Sequence, residues 1–113
     1  MTTIGILFFE GTEELDAVGP WEVFTMASKQ RDDIKVVSIS ERGGMVRCNK
    51  GMRIEMDHSF ADAPKLDVLL VPGGQGTRTE VDNPELLAWI AAVAPDCQWV
   101  TSVCTGSLLL AEA

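Results

Sequence analysis

The segment Trp99-Val100-Thr101-Ser102-Val103-Cys104-Thr105-Gly106-Ser107-Leu108-Leu109-Leu110 constrains the fold more tightly than any other part of the chain. Its first half is a β-branched, apolar run that reads as a strand, and its leucines read as the start of a helix. Only small residues separate the two, so the chain must turn sharply from strand into helix with a single thiol at the apex. That is the shape of a nucleophile elbow. Gly106 and Ser107 lack the bulk that would block the turn. The helix that follows points its N-terminal N–H groups towards the Cys104 sulfur, where they favour a thiolate.

The remaining residues alternate strand and helix signals, which gives the elbow a sheet to belong to. Residues 3–9 form a near-continuous apolar run, as expected of a strand buried on both faces of a parallel sheet. Residues 13–28 carry Leu15, Val18, Trp21, Phe24 and Ala27 at a spacing of three, which predicts a helix with an apolar stripe. Gly19-Pro20 is expected to interrupt it, with Pro20 in the first turn of the main helix. Residues 34–39 read as a second strand. Residues 45–48 and 52–56 read as a hairpin closed by Asn49-Lys50-Gly51. A short strand over residues 67–71 is stopped by Pro72-Gly73-Gly74. Asn83-Pro84-Glu85 then opens a helix in the order cap, proline, acid, with Leu86, Ile90 and Val93 as its apolar face and Pro95-Asp96 as its stop. Residues 98–103 form the last strand. This succession predicts an α/β fold, a doubly wound and mostly parallel sheet, with the hairpin as an excursion at the edge.

Charge and cysteine usage narrow the function classes. Seventeen acidic against nine basic residues give a net charge of −8, which argues against nucleic acid or an anionic membrane as partner. No run approaches the roughly 18 apolar residues of a membrane span, and residues 1–20 lack the basic-then-apolar pattern of a signal peptide. Cys48, Cys97 and Cys104 show no C-x-x-C spacing, and their odd number fits free thiols in a reducing compartment, so a cytoplasmic location is expected. His58 is the only histidine, and no metal site is expected. A chain of 113 residues makes a single domain. Its final helix reaches Ala113 without a glycine cap or proline stop, so the domain is expected to be the N-terminal part of a longer one.

In an open parallel sheet the ligand crevice lies beyond the carboxyl ends of the strands. Three candidate groups fall at such ends: the acidic stretch up to Asp16, the Gly73-Gly74-Gln75-Gly76 loop, and Cys104. Asp16, flanked by Leu15, Ala17 and Val18, is a candidate proton donor and acceptor. The glycine loop lacks the Lys-Ser/Thr of a phosphate loop and does not complete G-x-G-x-x-G. Gly73 and Gly74 are instead candidates, with the Thr105 amide, for backbone donors to a developing negative charge. Cys48 and Cys97 lack an elbow and read as structural, and His58 lies away from all three strand ends.

Leu15-Asp16-Ala17-Val18-Gly19-Pro20-Trp21-Glu22-Val23-Phe24, Val71-Pro72-Gly73-Gly74 and Thr101-Ser102-Val103-Cys104-Thr105-Gly106-Ser107 together resemble the ThiJ/PfpI superfamily of glutamine-amidotransferase-like domains, and more narrowly its isocyanide hydratase branch. The resemblance runs in order over essentially the whole chain. It implies a flavodoxin-like three-layer sandwich, a homodimer, Cys104 as nucleophile and Asp16 as the acid beside it. Many members carry glutamate at that place, and the aspartate is similar to the hydratase branch. Members run to nearly twice this length, so a further strand and covering helices are implied beyond Ala113, together with the histidine that assists the thiol in protease-like relatives. The implied reaction is hydration of a small-molecule isocyanide to an N-substituted formamide without cofactor. A glyoxalase, deglycase or amidase, an oxidation-sensing cysteine protein, and the ligand-binding domain of a transcription regulator remain open as alternatives.

Overall fold

The period-two alternation at the end of the first strand divides the core. In the computed structural model, which describes residues 1–113 throughout, Ile6 and Phe8 fall in one buried cluster, and Leu7 and Phe9 in another. The strand itself, β1 (Thr2–Leu7), is followed by α1 (Glu14–Gln30), β2 (Ile34–Ser40), β3 (Met45–Arg47), β4 (Arg53–Glu55) and β5 (His58–Ser59). Then come β6 (Val68–Val71), α2 (Thr77–Glu80), α3 (Pro84–Val93), a 3-10 turn (Ala94–Asp96), β7 (Trp99–Ser102) and α4 (Gly106–Glu112). Five strands form a parallel sheet in the order β5-β2-β1-β6-β7, so β1 is central and the elbow follows an edge strand. On one face Leu7, Phe9, Ile39, Leu69 and Val71 pack with Leu86 and Ile90 of α3 and Leu109 of α4. On the other, Ile6, Phe8 and Leu70 pack with Ala17 of α1 and with Val46, Cys48 and Met56 of the hairpin. Each such fully buried aliphatic side chain contributes about 2 kcal/mol by leaving water. No helix is long and apolar enough to cross a membrane.

Three expectations need correction. First, Pro20 does not open the main helix: α1 already starts at Glu14 and runs through it. Proline in a helix interior forfeits its own N–H bond to the carbonyl four residues earlier, here that of Asp16, and crowds that carbonyl with its ring, yet α1 continues through it. Second, the spacing-of-three stripe does not face the core. On a helix of 3.6 residues per turn each step of three falls short of a full turn by about 60°, so five such positions spread around the cylinder. Leu15 is 74% and Trp21 41% exposed, while Ala17 is the buried residue and Phe24 packs partly against the core. Third, β3 and β4 form a separate antiparallel pair laid over the sheet face beside α1, because Val46, Cys48 and Met56 have an apolar surface to cover there. The edge place belongs to β5, a two-residue strand paired with Ile39 and Ser40, which the sequence did not announce.

The Asn83 helix start forms as its order of residues requires. The Asn83 side chain accepts from Glu85 N–H at 3.1 Å, with Pro84 at the first helical position.

Candidate active site

The segment between β1 and α1 is pinned on both sides, and this pinning places Asp16. Thr12, fully buried, caps the strand end: its hydroxyl donates to Phe9 O at 2.6 Å and accepts from Phe9 N–H at 2.8 Å. Towards the hairpin, Gly11 N–H donates to Arg47 O at 3.0 Å, and Asn49 N–H donates to Thr12 O at 2.8 Å. Glu14 Oε2 accepts from Lys50 N–H at 2.8 Å, and the Lys50 ammonium pairs with Glu13. Towards the glycine loop, Glu13 N–H donates to Gly73 O at 2.9 Å, and Gly76 N–H donates to Gly11 O at 3.1 Å. Asp16 therefore sits in the first turn of α1, partly buried, with its Oδ2 accepting from Gly73 N–H at 3.3 Å.

The expected elbow is present, and its apex is strained. Cys104 has φ +53°, the only positive value outside glycine, and its side chain is exposed. A left-handed residue at a strand-to-helix junction costs about 1–2 kcal/mol, which the surrounding turn holds in place. Val103 N–H donates to Val71 O, and Gly106 N–H to Val103 O, both at 3.0 Å. Gly106 is required by close approach, since a Cβ there would run into the carbonyl oxygens of Val71 and Pro72.

Gly73 is where the parts meet. A Cβ on it would lie 2.7 Å from Thr105 N, 2.7 Å from Thr105 Oγ1 and 3.1 Å from Asp16 Oδ2. The carboxylate of the first helix and the residue after the cysteine thus press on the same Cα, and any larger residue would force them apart. Gly73, Asp16 and Thr105 are brought together at the end of β6, and Cys104 is the neighbour of Thr105 on the elbow. The sheet order places His58 on β5, at the opposite edge from β7, so it stands away from this cluster.

Of the three expected backbone donors, only the Thr105 N–H has no protein acceptor, a condition it shares with Cys104 N–H. Gly73 N–H is turned to Asp16, and Gly74 N–H donates to the Thr105 hydroxyl at 3.2 Å. That hydroxyl lies 3.3 Å from the hydroxyl of Thr77, which donates to Gly74 O at 2.8 Å. Thr77 is 1% exposed and escaped the reading of the sequence. Its signal was a threonine three residues after a glycine turn, the spacing at which a hydroxyl closes back on a carbonyl.

A cavity of about 760 Å³ lies elsewhere: it opens beyond β1 and β2 between Glu10, Glu41, Asn83 and Leu86, and includes neither Cys104 nor Asp16. Cys104 stands instead at the end of β7 with its thiol exposed, and Gly73 is buried at the end of β6. Nowhere do three or more histidine, cysteine or acidic side chains gather as a metal would need.

The DJ-1/PfpI family matches residues 2–113. The chain belongs to this family. An isonitrile hydratase of Pseudomonas putida is 34% identical over 110 residues, covering 97% of this chain and 46% of that protein. The crystal structure of a ThiJ/PfpI family protein from Pseudomonas syringae superposes with a TM-score of 0.90 at 30% identity, covering 98% of this chain and 45% of that one. A helix-turn-helix transcriptional regulator of Mycobacterium tuberculosis is 40% identical over 48 residues, 42% of this chain and 18% of its own length. The chain thus spans about half the length of the hydratase and of the solved relative. The parallel sheet with helices on both faces is the fold of this family, and the elbow with its glycine loop lies inside the matched residues.

Proposed function

We propose that this domain carries the nucleophile and the acid of an isocyanide hydratase. The observation that carries the reading is the convergence on Gly73: the Asp16 carboxylate and Thr105 meet over its Cα, while the preceding residue, Cys104, is exposed and held at positive φ. The 34% identity to isonitrile hydratase supports the choice of substrate.

An isocyanide carbon accepts a nucleophile and then a proton, so the reaction needs a thiolate and an acid and nothing more. The Cys104 sulfur forms a bond to the terminal carbon of R–N≡C. The Asp16 carboxyl delivers a proton to that carbon, giving the thioimidate R–N=CH–S. Asp16, now a carboxylate, takes a proton from water as the hydroxyl adds to the same carbon. Asp16 passes that proton to the nitrogen, the C–S bond breaks as the hydroxyl proton returns to Asp16, and the formamide R–NH–CHO leaves with the thiolate and the carboxyl restored. The Thr105 N–H is the backbone donor for charge that develops at the adduct. Gly73 N–H keeps Asp16 oriented, and Gly74 contributes through the hydroxyl it holds rather than through a free amide. Self-association is part of this proposal, since α1 leaves Leu15, Trp21, Val23 and Met26 exposed along its length.

The test is formamide production by the full chain from a simple alkyl isocyanide, followed by mass spectrometry, with methylglyoxal and a primary amide as comparison substrates. Formamide release that depends on Cys104 supports the proposal. Turnover of methylglyoxal or the amide alone would replace it with another reaction of the family. Isocyanide binding without turnover would favour the ligand-sensing role that the regulator's 48-residue match suggests.

A further inference from the structure

The hydroxyl pair under the glycine loop closes on both backbone polar groups of Gly74, and this closure assigns a task to Thr77. Gly74 N–H can only donate and Gly74 C=O can only accept, whereas each threonine hydroxyl does one of each along a chain. The Thr77 hydroxyl donates to Gly74 O at 2.8 Å, and the two threonine hydroxyls lie 3.3 Å apart. The circuit is then closed: Gly74 N–H donates to Thr105 Oγ1, the Thr105 and Thr77 hydroxyls are in contact, and Thr77 O–H donates to Gly74 O.

We propose that Thr77 is a positioning residue for the elbow, acting by fixing the Thr105 side chain so that the Thr105 backbone N–H stays aimed at the reacting atoms beside Cys104. Thr77 is buried, lies at the start of α2 and touches neither Cys104 nor a substrate; it works through Thr105. Held between Gly74 N–H and the Thr77 hydroxyl, the Thr105 side chain is kept as an acceptor for the glycine loop. Removing the Thr77 hydroxyl frees the Thr105 side chain to rotate and deprives Gly74 N–H of a fixed acceptor. The loop and the elbow, which meet at van der Waals limits over Gly73, then lose the polar link that holds their spacing.

The inference rests on the hydratase reading, and its test therefore has one arm that needs no isocyanide. Thr77→Val keeps the shape of the buried side chain without its hydroxyl, and Thr77→Ser keeps the hydroxyl. In Thr77→Val, kcat for the isocyanide falls about tenfold with KM within about twofold, and alkylation of Cys104 by iodoacetamide slows severalfold. Thr77→Ser stays within about twofold of the parent on both measures, and a thermal unfolding scan confirms that all three fold. Parent-like kcat and alkylation in Thr77→Val would overturn the proposal, as would an equal loss in Thr77→Ser, which would trace the effect to the missing methyl. If the parent hydrates no isocyanide the function reading fails by itself, and the alkylation rates alone decide the role of Thr77.

Discussion

Cys104 and Cys48 offer a comparison within one molecule: each is tied through its neighbours to the acidic start of α1, yet one thiol is exposed and the other buried. Cys48 closes the hairpin, is 4% exposed and belongs to the core cluster under α1. Burial, and then the negative charges of Glu14, Glu10 and Glu13, push its thiol up to about 11. Cys104 stands on a strained turn, open to solvent, followed by a free backbone N–H and linked through Gly73 to a single carboxylate. A carboxylate beside a thiol is thus not an activating feature in itself. What separates the two sites is access, and backbone donors left without protein partners.

The same substitution at both positions gives the sharpest contrast. Cys104→Ser is expected to lower kcat for the isocyanide by a factor on the order of 10⁴ or more while leaving stability within about 0.5 kcal/mol. Cys48→Ser is expected to leave kcat nearly unchanged and to destabilise by about 1–3 kcal/mol, because it buries a hydroxyl among Ile6, Phe8 and Leu70. Assay and thermal unfolding of the two variants check this. A catalytic defect in both, or in Cys48→Ser alone, would break the division of labour. One step smaller is Asp16→Asn, which keeps an oxygen for Gly73 N–H and removes the proton carrier. A loss of about 10²–10⁴ in kcat at nearly constant melting temperature is expected. A loss confined to KM would mean that Asp16 binds rather than transfers a proton.

Much of this contrast was legible in the sequence because it rests on local rules. The elbow is written in the succession of β-branched, small and leucine residues around Cys104, and the cap of α3 in Asn83-Pro84-Glu85. What depended on tertiary placement was not. The spacing of Leu15, Val18, Trp21, Phe24 and Ala27 looked like one face but rotates around α1, and only the packing of Ala17 against the sheet fixes the helix orientation. Pro20 read as a boundary because proline seldom continues a helix, whereas the ties from Glu13 and Glu14 to Lys50 fasten the chain earlier. Gly73, Gly74 and Thr105 were identified as amide donors from their places at strand ends. That two of those amides are occupied by Asp16 and a hydroxyl follows from distances across the sheet, which no local pattern encodes.

Direct chemical labelling reads the comparison without a substrate. At pH 8 the Cys48 thiol stays protonated, and burial together with the charges of Asp67 and Asp96 also raises that of Cys97. Limiting iodoacetamide should therefore modify Cys104 at least about tenfold faster than either. Peptide mass spectrometry counts the three sites separately, and comparable labelling of Cys48 would show that the hairpin opens readily.

The smallest effect concerns the tether that keeps Cys48 covered. Partial burial raises the Glu14 carboxyl, but hydrogen bonds from its own N–H and from Lys50 and Met52 N–H outweigh this and hold it below its ordinary value of 4.5. A carboxyl depressed in the folded state supplies stability above its unfolded value and loses it as pH falls through the folded one. Glu14→Gln should therefore lower the melting temperature slightly at pH 7, and the gap from the parent should close as pH falls below 4.5. Because Glu14 Oε2 accepts from two hairpin amides, the variant should also speed alkylation of Cys48 while leaving Cys104 unchanged. A gap that is constant with pH would assign the tether to the Lys50 pair with Glu13, and equal acceleration at both cysteines would mean that hairpin and elbow open as one unit.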